Sequence, residues 1–306
     1  VSGAGLRAQC PAKVNLFLHV LGKRIDGYHE IRTLFQAIDL WDTLDAHPAP
    51  TVTLSCDDAA IPEGDDNLVV RAARLFIERT GALRGAALRL AKRIPAGGGL
   101  GGGSSNAAAT LVLLDRLTGG GTPKPVLEAM ASELGSDVPF FLTGGTALGT
   151  GRGERIQSIA DAEPLALVIG SPPFAISTAD VYALFAARSP VQGPLTPRVN
   201  DVSLSRLATH KLLGGNNFES VSNDLEAVVF DAWPELAGFR DALLEVGAVR
   251  AIVSGSGSSV FGIFHGPGDA RGAAKRLTRS FARWILRPCG TIRDAIRVGP
   301  APARSG

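Results

Sequence analysis

Residues 94–110 read Ile-Pro-Ala-Gly-Gly-Gly-Leu-Gly-Gly-Gly-Ser-Ser-Asn-Ala-Ala-Ala-Thr, with six glycines and two hydroxyls set immediately before a helix-compatible stretch. This is the composition of a phosphate cradle. Glycine admits positive φ and close approach, and the helix that follows adds unpaired amides and the positive end of its dipole. Pro95, Gly97, Gly98, Gly99, Leu100, Gly101, Gly102, Gly103, Ser104, Ser105 and Asn106 are the candidate nucleotide-binding residues, and because the loop holds no lysine or arginine the positive field must come partly from backbone amides. Two familiar labels fit poorly. No lysine stands where Gly-x-x-x-x-Gly-Lys-Ser/Thr requires one. Gly97, Gly99 and Gly102 have dinucleotide spacing, but Ile94-Pro95 precedes them and no acidic residue follows about twenty positions on at a clear second strand.

Four further groups could do chemistry. Lys13 and Asn15 are two positions apart, so on an extended strand both side chains point to one side. Asn15 can donate and accept, which suits it to hold a hydroxylated substrate, to fix the lysine, or to a purely structural role. Asp137 follows Gly135-Ser136 and precedes the apolar Val138-Pro139-Phe140-Phe141, at a rigid edge. It reads either as a carboxylate orienting an acceptor hydroxyl or as a turn residue taking backbone hydrogen bonds. An ammonium at Lys13 could stabilise charge developing on an attacking oxygen, or simply sit solvated at a strand edge. Tyr28 and His29 follow the turn signal Asp26-Gly27 and could bring an aromatic face and a ring nitrogen to one pocket, or be a packed tyrosine beside a surface histidine. Ser254-Gly255-Ser256-Gly257-Ser258-Ser259 is a second glycine region, either a ligand-approaching loop or a tight turn.

These groups need elements to hold them. Alternating apolar residues predict a strand over 13–20, with further strands over 31–41 and 51–55. Asn67 is placed to cap a helix running to Thr80 and stopped by Gly81. A strand over 86–90 feeds the glycine loop, and helical spacing follows over 105–117 and from Pro125 to Gly135. Val138–Leu142 reads as a strand, and Gly144-Gly145 with the glycines of 149–153 bracket another. Past a Pro-rich connection at 188–200, helices are predicted over 225–233, 236–246 and 269–286, with strands over 249–253 and 260–264. The basic tract 276–287 reads as the wet face of the last helix. Mixed elements without regular strand–helix alternation favour α+β.

The 306 residues permit two domains, and a hydrophobic content of 45% supplies at least one sizeable core. Thirty-one basic and 29 acidic side chains leave a formal charge of +2, too small a field for a dedicated nucleic-acid binder. Cys10, Cys56 and Cys289 are odd in number and far apart, which suggests neither a disulfide framework nor a metal clamp and fits a cytoplasmic protein. No apolar run nears the roughly 20 residues of a bilayer span, and no secretory signal is evident.

Taken in chain order, Pro11-Ala12-Lys13-Val14-Asn15-Leu16, Asp26-Gly27-Tyr28-His29, the glycine stretch 97–106, Gly135-Ser136-Asp137-Val138-Pro139-Phe140-Phe141, Ser222-Asn223-Asp224-Leu225-Glu226 and Ser254-Gly255-Ser256-Gly257 resemble a known family. It is that of the small-metabolite kinases named for galactokinase, homoserine kinase, mevalonate kinase and phosphomevalonate kinase. The joint presence of Lys-x-Asn and Gly-Tyr-His resembles the members with a cytidine-containing acceptor. The resemblance implies a two-domain α+β fold: an ATP-binding domain over 1–165, like the second domain of ribosomal protein S5, and a ferredoxin-like substrate-side domain over 166–306. ATP would phosphorylate the 2-hydroxyl of 4-diphosphocytidyl-2-C-methyl-D-erythritol in non-mevalonate isoprenoid synthesis, with Mg2+ neutralising the nucleotide through ligands the sequence does not assign.

On the same resemblance, Lys13 and Asp137 are catalytic and Asn15 belongs to the substrate pocket. Tyr28 stacks on cytosine, His29 reads its edge, and Tyr182 in Ser177-Thr178-Ala179-Asp180-Val181-Tyr182 forms the opposite wall. Ser258-Ser259 stand where the family often has Pro-Thr, which removes a rigid proline but keeps a hydroxyl. A monomer or weak homodimer without nucleic-acid or membrane partners is implied. The competing readings are a kinase of a simpler alcohol and a nonenzymatic, RNA-binding module.

Overall fold

Two long antiparallel strands carry Lys13, Asn15 and His29. The computed structural model describes residues 5–159, 163–188 and 218–302. In it β1 (Leu6–Lys23) pairs with β2 (His29–Pro48) from Leu6↔Ala46 to Lys23↔His29. Both strands extend well beyond the predicted 13–20 and 31–41, because their ends carry polar residues that periodicity alone does not capture. The register shifts between Pro11 and Ala12, and the shift turns the faces over. Ala8 and Cys10 pack into a helix-side core, whereas Ala12, Val14 and Leu16 face the opposite way. Lys13 and Asn15 are thereby left on the helix side, opposite Ala37 and Phe35.

The remainder of this sheet is β3 (Thr53–Cys56), β4 (Ala86–Ala91), β5 (Thr146–Thr150), β6 (Arg155–Ser158), β8 (Ser222–Asn223) and β12 (Arg297–Pro300), with β12-β1-β2-β4-β3 in order, β5 and β6 extending from β2, and β8 parallel to β1. Four helices cover one face: α1 (Leu68–Thr80), α2 (Gly102–Leu117), α3 (Lys124–Leu134) and α4 (Val138–Thr143). The α1 boundaries follow their signals. Asn67 accepts from Val69 N–H at 2.9 Å, and Gly81 closes the helix at φ 63°. The predicted strand over 138–142 is instead α4. A short apolar run has no decisive period, and here Pro139 sits in the first turn while Val138, Phe140 and Phe141 are all buried.

The second sheet runs β11 (Ile285–Gly290), β7 (Ala166–Ser171), β10 (Val260–Phe264), β9 (Arg250–Val253), all antiparallel. Strand alternation divides it. Ala166 and Val168 pack among α5 (Thr178–Arg188), α6 (Glu226–Ala232), α7 (Pro234–Glu245) and α8 (Pro267–Leu277), whereas Leu167, Ile169, Ile252, Phe261 and Ile263 meet Val14, Leu16, Leu34 and Ile38 of the first sheet. The helix predicted over 269–286 ends at Leu277. Its basic continuation is a turn over 278–284 followed by edge strand β11, which holds the exposed Arg287, rather than one wet helical face. The predicted connection at 188–200 lies, apart from Arg188, outside the described residues. All three cysteines are free, and burial pushes the Cys10 thiol up to about 12. Among the described residues no helix is long and apolar enough to cross a membrane.

Candidate active site

Lys13 is a buried charge on the cavity. Its side chain is 3% exposed, and its ammonium lies 3.2 Å from Asp137 Oδ2, donates to Asn15 Oδ1 at 2.7 Å and to the Gly99 carbonyl at 2.8 Å, and stands over the Phe35 ring. Asp137 precedes α4 in a helical conformation but makes no side-chain cap bond, so its carboxylate faces the lysine and the cavity instead of closing a turn. Asn15 fixes the lysine and also lines the cavity. Its amide donates to Thr33 Oγ1 at 2.7 Å, and Thr33 in turn donates to the Phe17 carbonyl at 2.7 Å. Thr33 escaped the sequence reading because its place beside Asn15 depends on the register shifts between β1 and β2.

The glycine loop is clamped against this pair. Lys13 N–H donates to the Leu100 carbonyl at 2.9 Å, and Gly101 (φ 71°) opens α2. A β-carbon on Gly101 would stand 2.7 Å from Phe141 Cζ and 3.1 Å from Lys13 Cγ, so the site requires glycine both for conformation and for space. The loop residues do not all face a ligand. Leu100 is 1% exposed and buries its side chain in the core between the sheets, leaving only its backbone to the loop. Asn106, expected to assist phosphate binding, is 1% exposed with its amide engaged by Asp42 at 3.0 Å and Lys92 at 3.3 Å, so it braces the loop from beneath. Asp42, which the sequence reading missed, also accepts from Arg93 and Ile94 N–H at 2.7 and 2.9 Å and from Lys92 Nζ at 2.5 Å. It fixes the point where β4 turns into the loop. Ser105 Oγ is buried and has no partner among the described residues.

Lys13, Asn15, Asp137, His29, Tyr182 and Arg152 border one cavity of about 630 Å³. His29 stacks on Tyr182, with ring centroids 4.9 Å apart and planes inclined by 24°. Tyr28 is 54% exposed and lies under the Arg152 guanidinium, 4.7 Å from ring centroid to charge. Burial, then the charge of Lys23, lowers the His29 pKa and keeps the ring neutral. Burial foremost, with Asp137 and Asp224, holds the Tyr182 phenol well above its ordinary range. Arg152 forms no ion pair among the described residues. It went unnoticed in the sequence because an arginine in a Gly-Arg-Gly-Glu turn looks like any solvated charge.

The arrangement is a glycine loop, a buried lysine paired with a partly exposed aspartate, and an aromatic, cation-bearing wall around a single space. Comparison with known proteins agrees with it. The family described as GHMP kinases N terminal domain matches residues 67–145, and GHMP kinases C terminal matches residues 204–283. The 4-diphosphocytidyl-2-C-methyl-D-erythritol kinase of Pelotomaculum thermopropionicum is 42% identical over 277 residues, covering 90% of this chain and 94% of the relative. The protein of the same name from Deinococcus radiodurans is 38% identical over 275 residues, covering 90% and 89%. A crystal structure of 4-(cytidine 5'-diphospho)-2C-methyl-D-erythritol kinase superposes with a TM-score of 0.75 at 37% identity, over 94% of this chain and 99% of the other. Homoserine kinase from Cytophaga hutchinsonii, at 19% identity and a TM-score of 0.71 over 96% and 97% of the two chains, shares the fold.

Proposed function

The chain belongs to the GHMP kinases, and from its site and its relatives we infer that it is the ATP-dependent kinase that phosphorylates the 2-hydroxyl of 4-diphosphocytidyl-2-C-methyl-D-erythritol, giving the 2-phosphate and ADP in non-mevalonate isoprenoid precursor biosynthesis. The observation that carries the reading is the Lys13–Asp137 pair, 3.2 Å apart, on a cavity shared by the glycine loop and the His29–Tyr182 stack.

In this reading the γ-phosphate lies over the start of α2, where backbone amides and the helix dipole oppose its charge. The acceptor hydroxyl approaches Asp137, whose carboxylate orients it and takes its proton as the oxygen attacks phosphorus. Lys13, already held by Asn15 and the Gly99 carbonyl, then faces the charge that builds on the transferred group without having to move. Arg152 and Lys23 give the same cavity two cations besides Lys13, a match for an acceptor carrying a diphosphate. The base lies against the aromatic wall, with neutral His29 offering one donor and one acceptor to its edge. The boundary between the ATP-side and acceptor-side units falls at 165/166, with β8 and β12 returning to the first sheet.

Mg2+ would accompany ATP and neutralise its phosphates. Among the described residues no cluster of three His, Cys, Asp or Glu side chains could hold a metal, which suits an ion carried mainly by phosphate oxygens and water. The unpartnered Ser105 hydroxyl in the first turn of α2 is a protein oxygen that fits such an ion. The decisive experiment offers the enzyme ATP with 4-diphosphocytidyl-2-C-methyl-D-erythritol, mevalonate, homoserine or RNA and looks for phosphorylated product. Product only from the cytidine-bearing acceptor is expected. Phosphorylation of mevalonate or homoserine in its place would reject the substrate.

A further inference from the structure

The segment Ser222-Asn223-Asp224 joins the two sheets at a point that the reaction scheme leaves unused. As β8 it lies parallel to β1, with Ser222 opposite Phe17 and Asn223 opposite Leu18. Asp224 binds the same strand, its N–H donating to the Leu18 carbonyl and its Oδ2 accepting from Val20 N–H, both at 2.9 Å. The Asn223 side chain turns to the other sheet. It is 8% exposed, and Nδ2 donates to the carbonyls of Val253 at 3.0 Å and Gly255 at 2.7 Å, at the end of β9, while Oδ1 accepts from Leu225 N–H at 3.0 Å before α6.

The turn that Asn223 grips is itself pressed on the catalytic pair. Ser254 Oγ donates to the Gly99 carbonyl at 3.1 Å, the same oxygen that receives the Lys13 ammonium. Ser259 N–H donates to the Gly98 carbonyl at 3.1 Å. A β-carbon on Gly255 would lie 3.2 Å from Asn15 Oδ1 and 3.5 Å from Lys13 Nζ. The local turn in which Oδ1 accepts from Leu225 N–H accounts only for Oδ1. Both donated bonds go to carbonyls of the β9 end and its turn, which such a turn does not require.

We propose that Asn223 is a positioning residue for phosphoryl transfer, a latch whose two donated hydrogen bonds hold the 254–259 turn of the second sheet against the nucleotide loop and Lys13 of the first. The latch rests on the kinase reading only for its kinetic test. Transfer needs the donor loop and the acceptor-side pair in register, so loosening this turn acts on turnover more than on binding of the base at the distant aromatic wall.

Asn223→Asp tests it, because the variant keeps the Oδ1 acceptor and the size but turns both donors into a carboxylate facing two carbonyls. Its kcat should fall by about tenfold or more while the dissociation constant of cytidine 5'-diphosphate, measured by calorimetry, stays within about twofold. Amide exchange should quicken by about tenfold or more in 97–101 and 254–259 and be unchanged in α1. Ser254→Ala breaks the far end of the latch without touching Asn223, and should quicken exchange in the same two segments. A folded Asn223→Asp enzyme with wild-type kcat and exchange, which is what the local turn alone gives, would overturn the latch. If Asn223→Asp does not fold, wild-type exchange in Ser254→Ala overturns it instead. Should the wild-type chain fail to phosphorylate the acceptor, the kinase reading falls, and the exchange measurements still decide the latch.

Discussion

The Lys13 ammonium reaches Asp137 only because Asn15, Thr33 and the Gly99 carbonyl already hold it. Asp137→Asn should therefore keep the fold and ATP affinity while lowering kcat by about 100-fold or more, since positioning and charge stabilisation dominate this chemistry. Turnover near wild type in a folded Asp137→Asn enzyme would remove the carboxylate from the mechanism. Lys13→Met, which keeps the reach and removes the charge, should show a kcat defect of the same kind. His29 makes a pH prediction. Its pKa lies below the ordinary value of about 6.5, so its contribution to the folded state is complete above that value and is lost as pH falls through the depressed one. Cytidine 5'-diphosphate affinity should be flat from about pH 8 down to the ordinary histidine range and weaken below it, and His29→Gln should abolish that break. A break that persists in His29→Gln assigns the titration elsewhere. The proposed catalytic set was legible only through the order of its motifs and the family they resemble, because lysine, asparagine and aspartate taken singly also allow structural roles. Thr33 and Arg152 were not, since one acts through cross-strand register and the other through a stacking contact on Tyr28.

At the scale of elements, the glycine loop was readable because its demand is local: each glycine answers to its own φ and its own neighbours. Gly101 is the sharpest case, and its surroundings change what a substitution does. Valine there meets a left-handed φ of 71° and also Phe141 at 2.7 Å and Lys13 Cγ at 3.1 Å. Gly101→Val should therefore weaken ATP binding by about tenfold, destabilise the fold by about 2 kcal/mol and lower kcat through displacement of Lys13. ATP titration alongside a thermal melt checks this, and unchanged ATP affinity in the folded variant would count against loop contact. By contrast, α4 read as a strand because five apolar residues carry no period, and the choice was made by the core that buries Phe140 and Phe141. The register shift at Pro11/Ala12 was equally invisible. Without it Lys13 and Asn15 would face the core between the sheets rather than the cavity.

Across the whole molecule, the two sheets are not separable bodies. One core draws Val14, Leu16, Leu34 and Ile38 from the first and Leu167, Ile169, Ile252, Phe261 and Ile263 from the second. Two strands from the second half of the chain, β8 and β12, complete the first sheet. The sequence reading marked β9 and β10 but missed β7, whose run Ala166–Ser171 is buried on both faces and so shows no alternation. A site built between units that share a core should unfold with both. Calorimetry should accordingly give one cooperative transition, unlike a protein whose domains fold independently. Phe261 is fully buried in the shared core, and Phe261→Ala should destabilise the fold by about 3–5 kcal/mol and lower that single transition as a whole. Were the units independent, the same substitution would shift one of two transitions and leave the other in place. Two resolved peaks, with only the lower one moved by Phe261→Ala, would show that the sheets do not depend on each other and that the register between nucleotide loop and acceptor wall is maintained by something other than their common core.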